Sequence, residues 1–227
     1  MHVTVVYEDN HLLALNKPAG MLVQGDKSGD PTLTDWGKSY IKEKYNKPGA
    51  VFLHPVHRID RPVSGLVLFA RTDKALGRLT TLFRDRKMAK SYLAICTSIP
   101  EDPVGTLRHF LRKDHAKNIV SAHKTQLKDS KESITEYQTL GVEGRTALLL
   151  VDPKTGRPHQ IRVQLAAMKC SILGDLKYGA TEPLPDASIA LHSFRLEFEH
   201  PVRKEPIQLQ ADLPQTAWWK RVLPFMP

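Results

Sequence analysis

His57-Arg58-Ile59-Asp60-Arg61-Pro62-Val63-Ser64-Gly65-Leu66-Val67-Leu68-Phe69 sets one carboxylate between two guanidinium groups and follows it with an almost unbroken apolar run. Charges on an ordinary surface alternate with other polar residues. Here Gly65 to Ala70 reads as a buried strand, which puts Asp60 on the loop feeding a core element. Loops anchored on rigid strands are where binding and catalytic groups concentrate.

Working outward, Val3 to Tyr7 and Leu12 to Asn16 read as short strands around the turn Glu8-Asp9-Asn10, and Lys17-Pro18-Ala19-Gly20 ends the second one sharply. Thr32 to Tyr45 opens with Thr-x-x-Asp and spaces Leu33, Trp36, Tyr40 and Ile41 as a surface helix. Downstream of the central strand, Asp73 is expected to cap a helix with an apolar stripe of Leu76, Leu79, Leu82 and Phe83. Its opposite face carries Lys74, Arg78, Arg84 and Arg86. Ser91 to Ile95 reads as a strand, and short strands separated by Pro, Gly and charged turns should continue to Asp152. Thr135 to Leu140 and Thr146 to Asp152 form the clearest pair around Gly141 to Arg145. Phe194 to Phe198 and Ile207 to Ala211 suggest two more. Pro158 suits the first position of a helix running to about Met168. Arg162 falls in the early turns of that helix, where the positive end of the dipole disfavours a cation unless an anion is near.

With 227 residues and 41% hydrophobic composition, the chain can bury a sizeable core and suits one domain over residues 1–227. No apolar stretch is long enough to span a bilayer, and Met1 to Asn10 lacks the cationic and apolar blocks of a signal peptide, so a cytoplasmic protein is expected. Cys96 and Cys170 are too few for a disulfide framework or a structural zinc site, and both read as buried or partly buried thiols. His54 and His57 lack further clustered ligands, so no metal is expected. Net charge is +9 with a pI near 9.5, which favours an anionic partner. Between Arg71 and Lys131 there are 14 Lys plus Arg against 6 Asp plus Glu, so the excess is concentrated. A polyanion such as RNA would meet a basic middle region; on charge alone, a solvated surface kept for solubility is an equal reading.

The run around Asp60 resembles the HRLD-x-x-TSG signature of the RluA-type RNA pseudouridine synthases, with Ile59 and Val63 standing where Leu and Thr are usual. Val63 removes a hydroxyl that could orient the loop, but no proposed catalytic group is lost. Asn16-Lys17-Pro18-Ala19-Gly20 is similar to the family's NKP-x-G element, to which no chemistry is assigned. Four further segments match in the expected order: Lys90 to Ala94, Thr155 to Arg162, Gly174 to Gly179, and Leu191-His192-Ser193 to His200-Pro201. The resemblance implies an α+β fold, one catalytic domain on a largely antiparallel mixed sheet with flanking helices and a central cleft. The short form is expected, with the pattern starting within the first 20 residues and no small RNA-binding module ahead of it.

Isomerising uridine requires breaking the bond between ribose C1′ and uracil N1, rotating the freed base and rejoining it through C5. Asp60 is the candidate catalytic group, as a nucleophile at the anomeric carbon or as a base starting an elimination, and the sequence leaves both routes open. Burial would neutralise that carboxylate unless a cation compensates. The resemblance assigns an ion pair with it to Arg162. The target uridine must leave its stack, and by resemblance Arg58 would fill the gap while Tyr92 stacks on the uracil. His159 and Gln160 read as positioning residues, His192 as a buried, hydrogen-bonded histidine, and Gly174-Asp175 and Tyr178-Gly179 as turn or wall residues.

No Gly-x-Gly-x-x-Gly or Gly-x-x-x-x-Gly-Lys run cradles a nucleotide, and the redox-neutral reaction calls for no cofactor. The implied partner is structured ribosomal or transfer RNA, with no membrane and a monomeric enzyme. Two other classes stay open: a non-catalytic RNA-binding or RNA-folding module, opposed by the presence of Asp60, Tyr92 and Arg162, and a nucleoside hydrolase, opposed by the basic middle and the lack of a second acid to activate water.

Overall fold

The computed structural model describes residues 2–227. In chain order, β1 (Thr4–Glu8), β2 (Leu12–Lys17), α1 (Leu33–Lys44), β3 (His54–Pro55), β4 (Ser64–Ala70) and α2 (Asp73–Arg84) come first. Then follow β5 (Ala89–Cys96), β6 (Val104–Asp114), β7 (Ile119–His123), β8 (Lys131–Glu143), β9 (Thr146–Pro153) and α3 (Gln160–Ala167). The chain ends with β10 (Leu191–Glu199), β11 (Pro206–Gln210) and the short α4 (Ala217–Arg221). Strands in antiparallel pairs with helices packed on them bear out the α+β expectation. The chain divides into two compact units, Met1–Ala89 with Ser193–Leu213 and Lys90–His192 with Pro214–Pro227.

In the first unit the strand order is β1, β2, β4, β10, with β3 also pairing β4 and β11 pairing β10. All seven residues of β4 are buried, as the apolar run requires of a central strand. Side chains of β2 alternate between two faces. Leu12 and Ala14 join Leu66, Leu68 and Ala70 under Ala75 and Leu79 of α2, while Leu13 and Leu15 meet α1 at Gly37. A side chain at Gly37 would lie 2.6 Å from Leu53 Cδ2, so glycine lets the helix approach the sheet. Thr32 and Asp35 close the expected capping box on α1. The second helix is capped by Thr72, whose Oγ1 accepts from Ala75 N–H at 3.2 Å, and not by Asp73 as the sequence suggested. Asp73 is the first helical residue, where its charge favours the dipole.

In the second unit the order is β5, β9, β8, β6, β7, and all of these pairings are antiparallel. The strands are long where the sequence suggested short ones: β6 has 11 residues and β8 has 13. The reach of β8 continues through Gly141, where the register shifts by a bulge, so the connection to β9 shrinks from the expected five residues to Gly144-Arg145. Gly141 leaves room for Phe225, whose ring would lie 2.1 Å from an added Cβ. A core of Leu111, Val120, Val163 and Tyr178 joins β6 and β7 to α3. Pro158 does not start α3 as expected, because His159 takes a left-handed conformation (φ 53°) and the helix begins at Gln160.

Candidate active site

The chemistry-bearing residues are drawn from both units. In the first, β3 pairs with the end of β4 through His54↔Ala70 and Pro55↔Phe69, and Val56 N–H still donates to Leu68 O at 2.8 Å. The chain then leaves β4 and forms the loop that carries Arg58 and Asp60. Ile59 points inward and is buried, Asp60 is half-buried, and Arg58 and Arg61 are exposed. Val63 N–H donates to Asp60 O at 3.1 Å and turns the chain into β4. Gly65 makes that entry possible. Its φ is +110°, and a Cβ would sit 2.2 Å from Ser193 O of β10.

Beyond Asp60 the loop is tied down by Lys17. This side chain is fully buried, and its Nζ donates to the carbonyls of Pro18 (3.0 Å), Met21 (2.8 Å) and Arg61 (3.2 Å). Three donors meet three acceptors, which is what a buried ammonium needs. Burial pulls its pKa down to about 7, the Asp60 charge acts to raise it, and Arg61 lowers it further. Arg61 O also accepts from Gly20 N–H at 2.8 Å, while Arg61 Nε donates to Gly20 O at 2.9 Å and the guanidinium pairs with Asp30 at 2.8 Å. The Asn-Lys-Pro segment, to which the sequence assigned no chemistry, is thus the anchor of the Asp60 loop.

In the second unit, Tyr92 sits half-buried on β5 opposite Val151 of β9. Arg162 is the third residue of α3 and is 6% exposed. It makes a bidentate pair with Asp175: Nε to Oδ2 at 2.7 Å and NH2 to Oδ1 at 2.8 Å, with Asp175 only 1% exposed. Its guanidinium carbon lies 5.1 Å from the centre of the Tyr178 ring. Asp175, which the sequence reading treated as a turn residue, is one anion that answers the demand of the helix dipole. A signal was present: an Asp inside a Gly-Asp-x-x-Tyr-Gly segment that had no partner of its own.

Side chains fasten α3 as well. Gln160 accepts from Thr155 Oγ1 (2.8 Å) and Arg157 N–H (3.0 Å) and donates to Ile134 O (2.9 Å) and Thr135 Oγ1 (2.8 Å). One turn on, Gln164 accepts from Thr135 Oγ1 at 2.7 Å and donates to Leu107 O at 3.0 Å. Tyr178 Oη accepts the Val120 N–H at 3.0 Å and is hydrogen-bonded to His159 Nδ1 at 2.6 Å. Both cysteines are buried, and burial pushes the Cys96 thiol up. The basic stretch Arg71 to Lys131 is divided between α2 of the first unit and the β6–β8 strands of the second, with Arg84 and Arg108 ion-paired to Asp85 and Glu132.

Residues 11–167, which include both the Asp60 loop and Arg162, match the RNA pseudouridylate synthase family. The chain belongs to that family. It is 32% identical over 207 residues to ribosomal large subunit pseudouridine synthase D of Borreliella burgdorferi, covering 87% of this chain and 61% of the relative. It is 29% identical over 240 residues to tRNA pseudouridine synthase C of Vibrio parahaemolyticus, covering 98% of this chain and 94% of that one. The solved structure of human RNA Pseudouridylate Synthase Domain Containing 4 superimposes with a TM-score of 0.78 at 25% identity, over 93% of this chain and 88% of the human one. The RluA-type resemblance and the expected enzyme class, an RNA pseudouridine synthase acting as an isomerase, are borne out.

Proposed function

We propose that this protein isomerises uridine to pseudouridine in structured ribosomal or transfer RNA, with Asp60 as the catalytic group and Arg58, Tyr92 and Arg162 engaging the substrate. The observation that carries this reading is the family match over residues 11–167, within which Asp60 stands on a loop tied through the Arg61 carbonyl to the buried Lys17 and to Gly20. A carboxylate held in this way meets the demand of the chemistry, because displacement or elimination at the sugar needs a near-attack geometry fixed before the substrate arrives. Cleavage of C1′–N1 is followed by bonding of C5 to C1′, loss of the C5 proton and protonation at N1. Arg58 is exposed beside Asp60 in sequence and suits the space vacated by an everted base. Tyr92 offers an aromatic face to the uracil.

Relatives named for large-subunit ribosomal RNA and for tRNA support RNA of either kind as the substrate. Among the described residues no helix is long and apolar enough to cross a membrane. We place the enzyme in the cytoplasm as a monomer. Pseudouridine mapping of ribosomal and transfer RNA, in cells with and without the gene, tests the reading. The expected result is one or a few positions lost on deletion and restored by the wild-type gene. An unchanged map would contradict it.

A further inference from the structure

The loop bearing Asp60 is anchored at Arg61 on its far side by Lys17 and Gly20, and its near side needs an anchor too. That side begins where β3 stops pairing with β4. Pro55 lies opposite Phe69 and Val56 donates to Leu68 O, so the next contact of a continuing antiparallel ladder would be Leu68 N–H donating to a main-chain carbonyl. Instead Leu68 N–H donates to His57 Nε2 at 3.1 Å. The imidazole replaces the missing strand carbonyl. This satisfies a donor on a fully buried strand residue while freeing the main chain to turn away toward Asp60. A ring nitrogen that accepts carries no proton, so the hydrogen sits on Nδ1 when the ring is neutral. The ring plane is also held, stacking on Phe83 of α2 with centres 5.4 Å apart and planes 20° from parallel.

We infer that His57 is a positioning residue for Asp60: its imidazole, stacked on Phe83 and accepting from Leu68 N–H, fixes where the catalytic loop departs from β4. The inference rests on the reading that Asp60 is the catalytic group. Only Arg58 and Ile59 separate this anchor from Asp60, so its loss lets the carboxylate wander by a fraction of an ångström to an ångström, a displacement that costs on the order of 100-fold in rate when reacting groups must be aligned.

The test compares His57→Ala with His57→Gln, whose Oε1 reaches about as far as Nε2 and can accept the same N–H. The probe is ribosomal and transfer RNA from a strain lacking the gene, labelled with [5-³H]uridine, and tritium release gives kcat and KM. His57→Ala is expected to lower kcat about 10- to 100-fold with KM within about 3-fold, and His57→Gln to recover most of the loss. The inference is overturned if His57→Ala keeps kcat within about 3-fold, if KM carries the loss, or if His57→Gln is as slow as His57→Ala. Should the Ala variant fail to fold, the Gln variant decides alone: near wild-type kcat supports the anchor and a slow enzyme refutes it. Failure of the underlying reading looks different, because an active Asp60→Asn variant would remove Asp60 from the chemistry whatever the His57 variants do.

Discussion

The Asp60 loop and the start of α3 present chemistry by opposite means. Asp60 is held through main-chain atoms: the Arg61 carbonyl, the Gly20 amide and, at the strand exit, the Leu68 amide. Arg162 is held through side chains, with Asp175 gripping its guanidinium and Gln160 and Gln164 nailing its helix to β8 and β6. A loop held at main-chain atoms tolerates changes in those of its side chains that make none of the anchoring contacts, as at Ile59 and Val63, whereas His57 is an anchor itself. A side-chain-held helix depends on the identity of each holder.

The sharpest way to break this contrast is Asp175→Asn. The amide keeps the shape and removes the charge, so the buried Arg162 guanidinium loses the bidentate carboxylate of Asp175. A loss of about 3–5 kcal/mol in urea-unfolding stability is expected; a loss below about 1 kcal/mol would mean that the ion pair does not secure the helix. Next in size is Gly65→Ala in the backbone-held region. Both the positive φ and the 2.2 Å approach to Ser193 O oppose any side chain. Overpacking of this kind costs about 1–3 kcal/mol. An alanine enzyme as stable as wild type would show that the β4 entry is not tightly held.

Smaller effects distinguish the surfaces from the anchors. Replacing Arg84, Arg86 and Lys87 at the end of α2 by Gln should make the slope of log K against log salt for RNA binding shallower by about 2–3, at roughly 0.9 per lost phosphate contact. An unchanged slope would remove that helix end from the RNA path. Lys17 should show itself differently, as a drift of stability with pH. Its folded pKa of about 7 lies below the ordinary lysine value of 10.5, so below pH 7 it is charged in both states and the full cost of burying it is felt. Between pH 7 and 10.5 the unfolded chain binds more protons than the folded one, and stability rises with pH. Urea midpoints of wild type should therefore move in its favour relative to Lys17→Met across that window, and a constant difference would mean that the ammonium keeps its proton throughout.

Much of this was legible in the residues. The apolar run after Asp60 marks β4, Thr32-x-x-Asp35 marks the start of α1, and ordered motifs mark the family. What escaped was decided by tertiary contacts. Charged residues interrupt the apolar alternation of β6 and β8, so strands stabilised by long antiparallel pairing looked short. His159 adopts a left-handed backbone that its hydrogen bond with Tyr178 accompanies, which delays the helix past Pro158. Thr72 outcompetes Asp73 as a cap because its hydroxyl reaches Ala75 N–H. The Asp175 carboxylate lies 13 residues from Arg162 along the chain, and no local periodicity connects a turn residue to a helical cation at that distance.

The role of Asp60 is tested most directly by tritium release from [5-³H]uridine-labelled RNA with the Asp60→Asn variant, alongside its RNA affinity. The substitution is nearly isosteric and leaves the electrostatics of backbone binding in place. Turnover should vanish while affinity stays within roughly a few-fold of wild type. Turnover by the Asn enzyme close to the wild-type rate would contradict the account.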